Sequence, residues 1–350
     1  MTYERIEPAG SERSGSRSGL DFEHLEYSDP SPLRLGALLP PGPRAGDIVD
    51  LNHALALRLA LGDGGAPEAE ADSRLPGRMD AFLRGGSRSL EEARRILAWV
   101  RDGLDRYDAP DFERSGAVVE RRRARLHAPV PRPGKIIGVA RNYLAHARER
   151  GQADAPVEPV LFLKATSAVA GPDAVVRLPG ASSQVDYEGE LAVVIGRRTR
   201  EVAASDALDC VAGYTAANDL SARDYQKVRG QAFIGKSCDG FAPMGPVLVT
   251  RDELPEPQKL RLTTTVSGER RQDGSTAEMI FPVAEVIAFA SRLMTLEPGD
   301  VILTGTPSGV GAAADPPRWL ADGDVVDVEI EGIGRLRTRL RRGPSYETGE

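Results

Sequence analysis

Hydrophobic positions along the 350-residue chain fall into two regimes. In the first, up to about residue 130, apolar runs are short and interrupted. Residues 33–60 pattern as short strands with a Pro/Gly turn, then a short helix. Residues 62–80, rich in Gly, Ala and Asp, pattern as a loop. In SLEEARRILAWV, Ser89 and Glu92 have capping-box spacing, and Ile96, Leu97 and Val100 form an apolar stripe. The basic, proline-punctuated run 120–135 patterns as a solvated linker, which places a boundary near residue 130.

The second regime is denser in strand signals. KIIGVA (135–140), LAVVIG (191–196) and VILTG (301–305) are apolar runs of buried-strand length. Val326, Val328 and Ile330 alternate with acids. After Gly332-Ile333-Gly334, Leu336, Thr338 and Leu340 alternate with arginines. That period of two across a glycine turn predicts a hairpin whose outer faces carry opposite charge. One helix is expected over 284–295, with Val286, Ile287, Ala290, Leu293 and Met294 on one face. The pattern is mainly β with a few helices, an α+β chain without strand–helix alternation.

Composition narrows the classes. Lys and Arg total 45 against 52 Asp and Glu, a net charge of −7, which disfavours nucleic acid as a partner. Two cysteines, Cys210 and Cys238, are too few for a disulfide framework or a thiolate zinc site. Residues 1–20 are polar, without the apolar core of a secretory signal, and no stretch approaches bilayer-spanning length. The expectation is a cytoplasmic protein that avoids membranes, with unstructured residues 1–20 and a flexible tail at 343–350.

Three segments carry candidate chemistry. In DYEGEL (186–191), Glu188 and Glu190 sit two apart and project from one face of a strand. Such a pair repels unless a cation stands between, and oxygen ligands suit Mg²⁺, Mn²⁺ or Ca²⁺. In NDLSARD (218–224), Asp219 sits at a strand end, where it is either a turn residue or a third carboxylate, and Ser221 could cap a following helix. In RNYLAHARERG (141–151), His146 and Glu149 lie one helical turn apart, close enough for the carboxylate to orient the imidazole.

Together, KIIGVARNYLAHARE, PVLFLKATSAVAGP, VDYEGELAVVIG, VAGYTAANDLSARDYQ, GKSCDGFAPMGPVLVT and GDVILTGTPSGVG, in this order, resemble the catalytic domain of the fumarylacetoacetate hydrolase family. PPRWLADGDVVDVEIEGIG and GKSCDGFAPMGP point within it to the domain-containing protein 2 type. The resemblance implies a distorted β-roll catalytic domain over 131–342 and a small N-terminal α+β domain, with its linker, over 21–130. It implies a metal on Glu188, Glu190 and Asp219, a catalytic pair of His146 and Glu149, and a catalytic Lys236. Arg141, Lys164 and Thr306 fall at substrate-binding positions. A fourth metal aspartate found in some members has no match, which favours the acylpyruvate-like branch. Cys238 stands where phenylalanine is commoner. The implied activity is metal-dependent hydrolysis of a C–C bond in a 2,4-dioxo acid. The alternative is oxaloacetate decarboxylation or keto–enol tautomerisation at the same site. The implied assembly is a homodimer.

Overall fold

A computed structural model gives the architecture and describes residues 1–6, 33–41, 44–62, 66–104, 109–151, 154–227 and 231–343. The chain divides into two compact units, Met1–His127 and Ala128–Glu350.

The first unit contains strands β1 (Thr2–Arg5), β2 (Arg34–Leu38) and β3 (Ile48–Asp50). Helices α1 (Leu51–Ala60), α2 (Pro67–Arg74), α3 (Met79–Leu104) and α4 (Ala109–Arg114) follow, then β4 (Val118–Val119) and β5 (Ala124–His127). The strands form one antiparallel sheet in the order β4-β3-β2-β1-β5. Four expectations are corrected here. Thr2–Arg5 lies inside the sheet, paired on both sides, although residues 1–20 were expected to lack structure; 7–20 fall outside the described residues. The expected loop at 62–80 holds α2, whose Pro67 occupies the first turn with Glu68 and Glu70, residues that favour a helix start. Ser89 does not cap a helix. The chain turns at Gly86, with φ +57, and Glu92 reaches Arg74 at 2.7 Å. The expected linker contains β5, where buried Ala124 and Leu126 alternate with Arg125 and His127; the arginine run obscures this period.

The second unit begins with β6 (Ile136–Ala140), α5 (Leu144–Glu149), β7 (Val160–Lys164), β8 (Val169–Ala170), β9 (Ala174–Leu178), β10 (Val185–Asp186) and β11 (Gly189–Ile195). Next come α6 (Ala204–Ala207), β12 (Val211–Asn218), β13 (Ser221–Ala222), α7 (Arg223–Lys227), α8 (Ala232–Lys236) and β14 (Ala242–Thr250). The unit ends with β15 (Arg261–Val266), β16 (Glu269–Ser275), α9 (Val283–Leu293), β17 (Val301–Leu303), β18 (Val325–Ile330) and β19 (Gly334–Arg342). A seven-stranded sheet runs β7-β6-β17-β11-β12-β14-β8, and a five-stranded sheet runs β16-β15-β18-β19-β9. They face each other through β11 on β15, β12 on β18 and β14 on β19, which makes a curled α+β roll. Every residue of β11 is buried, as expected of a strand covered on both faces.

The expected hairpin is β18–β19. Asp327 and Arg337 oppose each other in register and pair through two hydrogen bonds, at 2.8 and 2.7 Å. The expected helix is α9, but its stripe ends early: Leu293 is 61% exposed. Ser291 turns inward instead, and its hydroxyl accepts the Val202 N–H at 3.1 Å. Ser221 starts the short strand β13 rather than capping a helix, and its hydroxyl donates to the Asp219 carbonyl at 2.9 Å. Among the described residues no helix is long and apolar enough to cross a membrane.

Candidate active site

DYEGEL is not one continuous strand. Its regular pairing breaks between β10 and β11, and the Asp186 carboxylate accepts from Gly311 N–H at 2.8 Å and Ala312 N–H at 3.1 Å. Glu188 and Glu190 nevertheless converge. Asp219, at the end of β12, joins them through the hydrogen bond from its N–H to the Glu188 carbonyl, at 2.8 Å. One oxygen from each of the three buried carboxylates lies within 4.8 Å of the others.

Basic groups reach into this cluster. Lys236, at the end of α8, places Nζ 2.7 Å from Glu188 and 2.6 Å from Asp219. Lys164, at the end of β7, donates to the other Asp219 oxygen. Arg223, which opens α7, bridges Glu188 at 2.7 Å and Asp186 at 2.8 Å. Glu190 differs: it accepts from the Gly305 N–H at 2.7 Å and makes no direct ion pair among the described residues, so Lys236 acts on it only at longer range.

The pKa shifts follow that division. Burial alone would raise the Glu188 carboxyl, but Lys236 and Arg223 outweigh it and hold the group well below the carboxylate range. Burial raises Glu190 well above its ordinary value, and the charges of Asp219 and Glu188 raise it further. Lys164 is lowered by burial and by Lys236, despite Asp219. Lys236 is raised because Asp219 and Glu188 outweigh its desolvation. Within the direct network, the acids Asp186, Glu188, Glu190 and Asp219 outnumber the cations Lys164, Lys236 and Arg223 by one. Three carboxylates offering hard oxygens this close together fit a divalent cation held by Glu188, Glu190 and Asp219.

The structure places His146 and Glu149 on α5, with Nδ1 2.7 Å from the carboxylate. His146 is buried and near enough to Glu188 to influence it, so the pair borders the cluster. Upstream, Asn142 pins the start of this segment: its amide donates to Thr304 O at 2.8 Å and Phe281 O at 3.0 Å. Arg141, half-buried, occupies the turn after β6 with φ +59, an uncommon conformation for a side-chain-bearing residue. Thr306 is buried with its proton already used: the hydroxyl donates to Gly189 O at 2.8 Å and accepts from Gln272 at 2.7 Å. Lys164 likewise meets Asp219 directly rather than standing apart at a substrate edge.

Sequence reasoning missed Asp186, Arg223, Asn142 and Gln272. The first two lie inside motifs already singled out, and the signal was the need to neutralise buried acids. Asn142 and Gln272 carry no comparable signal.

Residues 135–341 match the family model described as fumarylacetoacetate (FAA) hydrolase, C-terminal. The chain belongs to the fumarylacetoacetate hydrolase family. The chain is 43% identical over 269 residues to oxaloacetate tautomerase YisK of Bacillus subtilis, covering 76% of this chain and 87% of that protein. It is 42% identical over 271 residues to human oxaloacetate tautomerase FAHD2A, mitochondrial, covering 77% and 81%. The crystal structure of 5-carboxymethyl-2-hydroxymuconate delta-isomerase from Mycobacterium smegmatis superimposes with a TM-score of 0.58. Identity there is 41%, with 65% of this chain and 86% of that one covered. The chain is thus an enzyme of the fumarylacetoacetate hydrolase family, and these relatives are named for tautomerisation and isomerisation rather than for hydrolysis. They favour the alternative activity over C–C bond hydrolysis.

Proposed function

We propose that this fumarylacetoacetate hydrolase family enzyme interconverts the keto and enol forms of a small 2-oxo dicarboxylic acid of the oxaloacetate class, with Mg²⁺ as its ion. The reading rests on one arrangement: an oriented imidazole beside three buried carboxylates whose oxygens converge. The names of the two tautomerase relatives support it. Three protein carboxylates leave coordination positions for water and substrate, which suits magnesium. When bound there, such an ion polarises the keto and carboxylate oxygens of a 2-oxo acid and makes the neighbouring C–H acidic.

The chain's own groups then move the proton. Glu149 accepts from Nδ1–H of His146, so Nε2 carries the free lone pair and acts as the base. His146 Nε2 takes the proton from C3 of the keto form, and the electron pair shifts toward the keto oxygen. The same proton is returned to that oxygen, which gives the enol; the reverse sequence regenerates the ketone. The Lys236 ammonium supplies fixed positive charge where water is excluded. Asp219 and Glu188 hold that ammonium in place, and its raised pKa keeps it charged.

The second reading, hydrolysis of a 2,4-dioxo acid, draws on the same pair, since an oriented imidazole can also activate water. An assay panel separates the two. With Mg²⁺ present, enol absorbance of oxaloacetate should relax faster with enzyme, and His146→Ala should lose about 10²–10⁴-fold of that acceleration. Cleavage of acetylpyruvate or fumarylpyruvate without any acceleration of oxaloacetate tautomerisation would overturn the proposal in favour of hydrolysis.

A further inference from the structure

The catalytic pair is held from outside itself. Glu149 spends one oxygen on His146 and accepts with the other, Oε2, from the Gly309 N–H at 2.8 Å. The Gly309 carbonyl accepts the Tyr187 hydroxyl at 2.9 Å. Gly309 has φ +104, and a Cβ there would lie 2.0 Å from the Arg271 carbonyl, so only glycine fits this peptide.

Tyr187 belongs to a longer clasp. Residues 186–190 grip the loop 305–312 almost residue by residue. Asp186 accepts from Gly311 and Ala312, Tyr187 donates to Gly309, Gly189 accepts from Thr306, and Glu190 accepts from Gly305. The segment that supplies two of the three clustered carboxylates therefore also anchors Gly309, the residue whose N–H orients Glu149. Tyr187 is buried at 2% exposure, so no bulk water replaces its hydroxyl at Gly309.

We propose that Tyr187 is a positioning residue: through Gly309 and Glu149 it holds His146 in the Nδ1–H form, tying the base to the acid cluster. The proposal rests on the proton-transfer role given to His146 above. Without the Tyr187 hydroxyl the 309–310 peptide loses its tie, the backbone hinged at the Gly309 Cα can shift the adjoining 308–309 N–H, Glu149 loses its second anchor, and the imidazole samples both tautomers.

The test is Tyr187→Phe, which removes one oxygen and keeps the ring. The four histidines make ¹⁵N NMR of the imidazoles tractable, with His146→Gln assigning the signal. Wild type should show the Nδ1–H tautomer at His146, and Tyr187→Phe a mixture. Turnover should fall about 10-fold, as for loss of an outer hydrogen-bond partner, with KM within about twofold. In a Glu149→Ala background the same substitution should cost nothing further, because its route to His146 is already cut. An unchanged His146 tautomer, or an undiminished cost in the Glu149→Ala background, overturns the proposal. If Tyr187→Phe does not fold, Tyr187→Met carries the same measurements at similar side-chain volume. The NMR reading needs no substrate, so its failure is distinct from a failure of the tautomerase assignment.

Discussion

Two buried ionic clusters, one in each unit, show opposite ways of placing acids out of water. In the N-terminal unit Asp50 is fully buried. It accepts from the Tyr3 hydroxyl at 2.5 Å, from the Arg34 guanidinium and from the His53 N–H at 3.0 Å, the last as the cap of α1. Arg5 stands 3.7 Å away. One carboxylate is thus satisfied on every side, and although burial would raise it, His53 and Arg34 help hold it well below the ordinary range. In the catalytic unit the acids outnumber their cations, and Glu190 faces two other carboxylates within 4.8 Å. A closed cluster serves the fold: its single carboxylate is shared by Arg34 and Arg5 and meets a donor on every side. An open one costs stability and is retained where a further cation and an anionic substrate enter.

The sharpest way to break this comparison is to neutralise one acid in each cluster. Glu190→Gln should lower turnover about a thousandfold by removing one of the three carboxylates proposed to hold the ion. Its amide still accepts from Gly305, so the metal-free protein should gain about 1 kcal/mol as repulsion is relieved. Asp50→Asn should instead cost about 3–5 kcal/mol by stranding Arg34. Urea unfolding beside turnover per folded molecule checks both; a destabilised Glu190→Gln would contradict the open-cluster account.

Acid titration should expose the closed cluster next. His53 is lowered from 6.5 to about 4 by burial, then by Arg34 and Arg5, against the pull of Asp50. A folded-state pKa below the unfolded one gives stability that is full above pH 6.5 and drains as pH falls toward 4. Over that window the loss from this group approaches about 3 kcal/mol. His53→Gln should flatten the curve of stability against pH there; an unchanged slope would remove His53 as its source.

The smallest effect belongs to the hairpin. Asp327 and Arg337 pair at 2.7 Å, but Arg337 is 34% exposed, so solvent screens the charge. Arg337→Ala should cost less than about 1 kcal/mol in urea unfolding, and less again in high salt. A larger loss would mean that surface pairs here behave like the buried ones.

The sequence showed most where period and chemistry coincide. The β18–β19 hairpin was visible because alternation marks one buried face, and α9 because its apolar residues recur at helical spacing. Its last stretch misled because Ser291, not Leu293, faces inward. In the N-terminal unit β5 hid behind arginines and α2 behind loop-like composition, since local composition does not report which neighbour will cover a residue. The candidate acids were visible as an ExE pair and a strand-end aspartate. Their compensation by Lys164, Lys236 and Arg223 was only partly so, because those partners lie 17 to 55 positions away along the chain.

By itself the sequence determined the family, the α+β class and the residue types available for proton transfer and metal binding, because each is written in motifs or in short-range periodicity. Tertiary structure alone decided that residues 186–190 would clasp the loop 305–312, and that Glu188 rather than Glu190 would gain direct ion pairs. Hydrogen bonds and ion pairs between distant segments depend on where strands are laid side by side, and no local pattern encodes that.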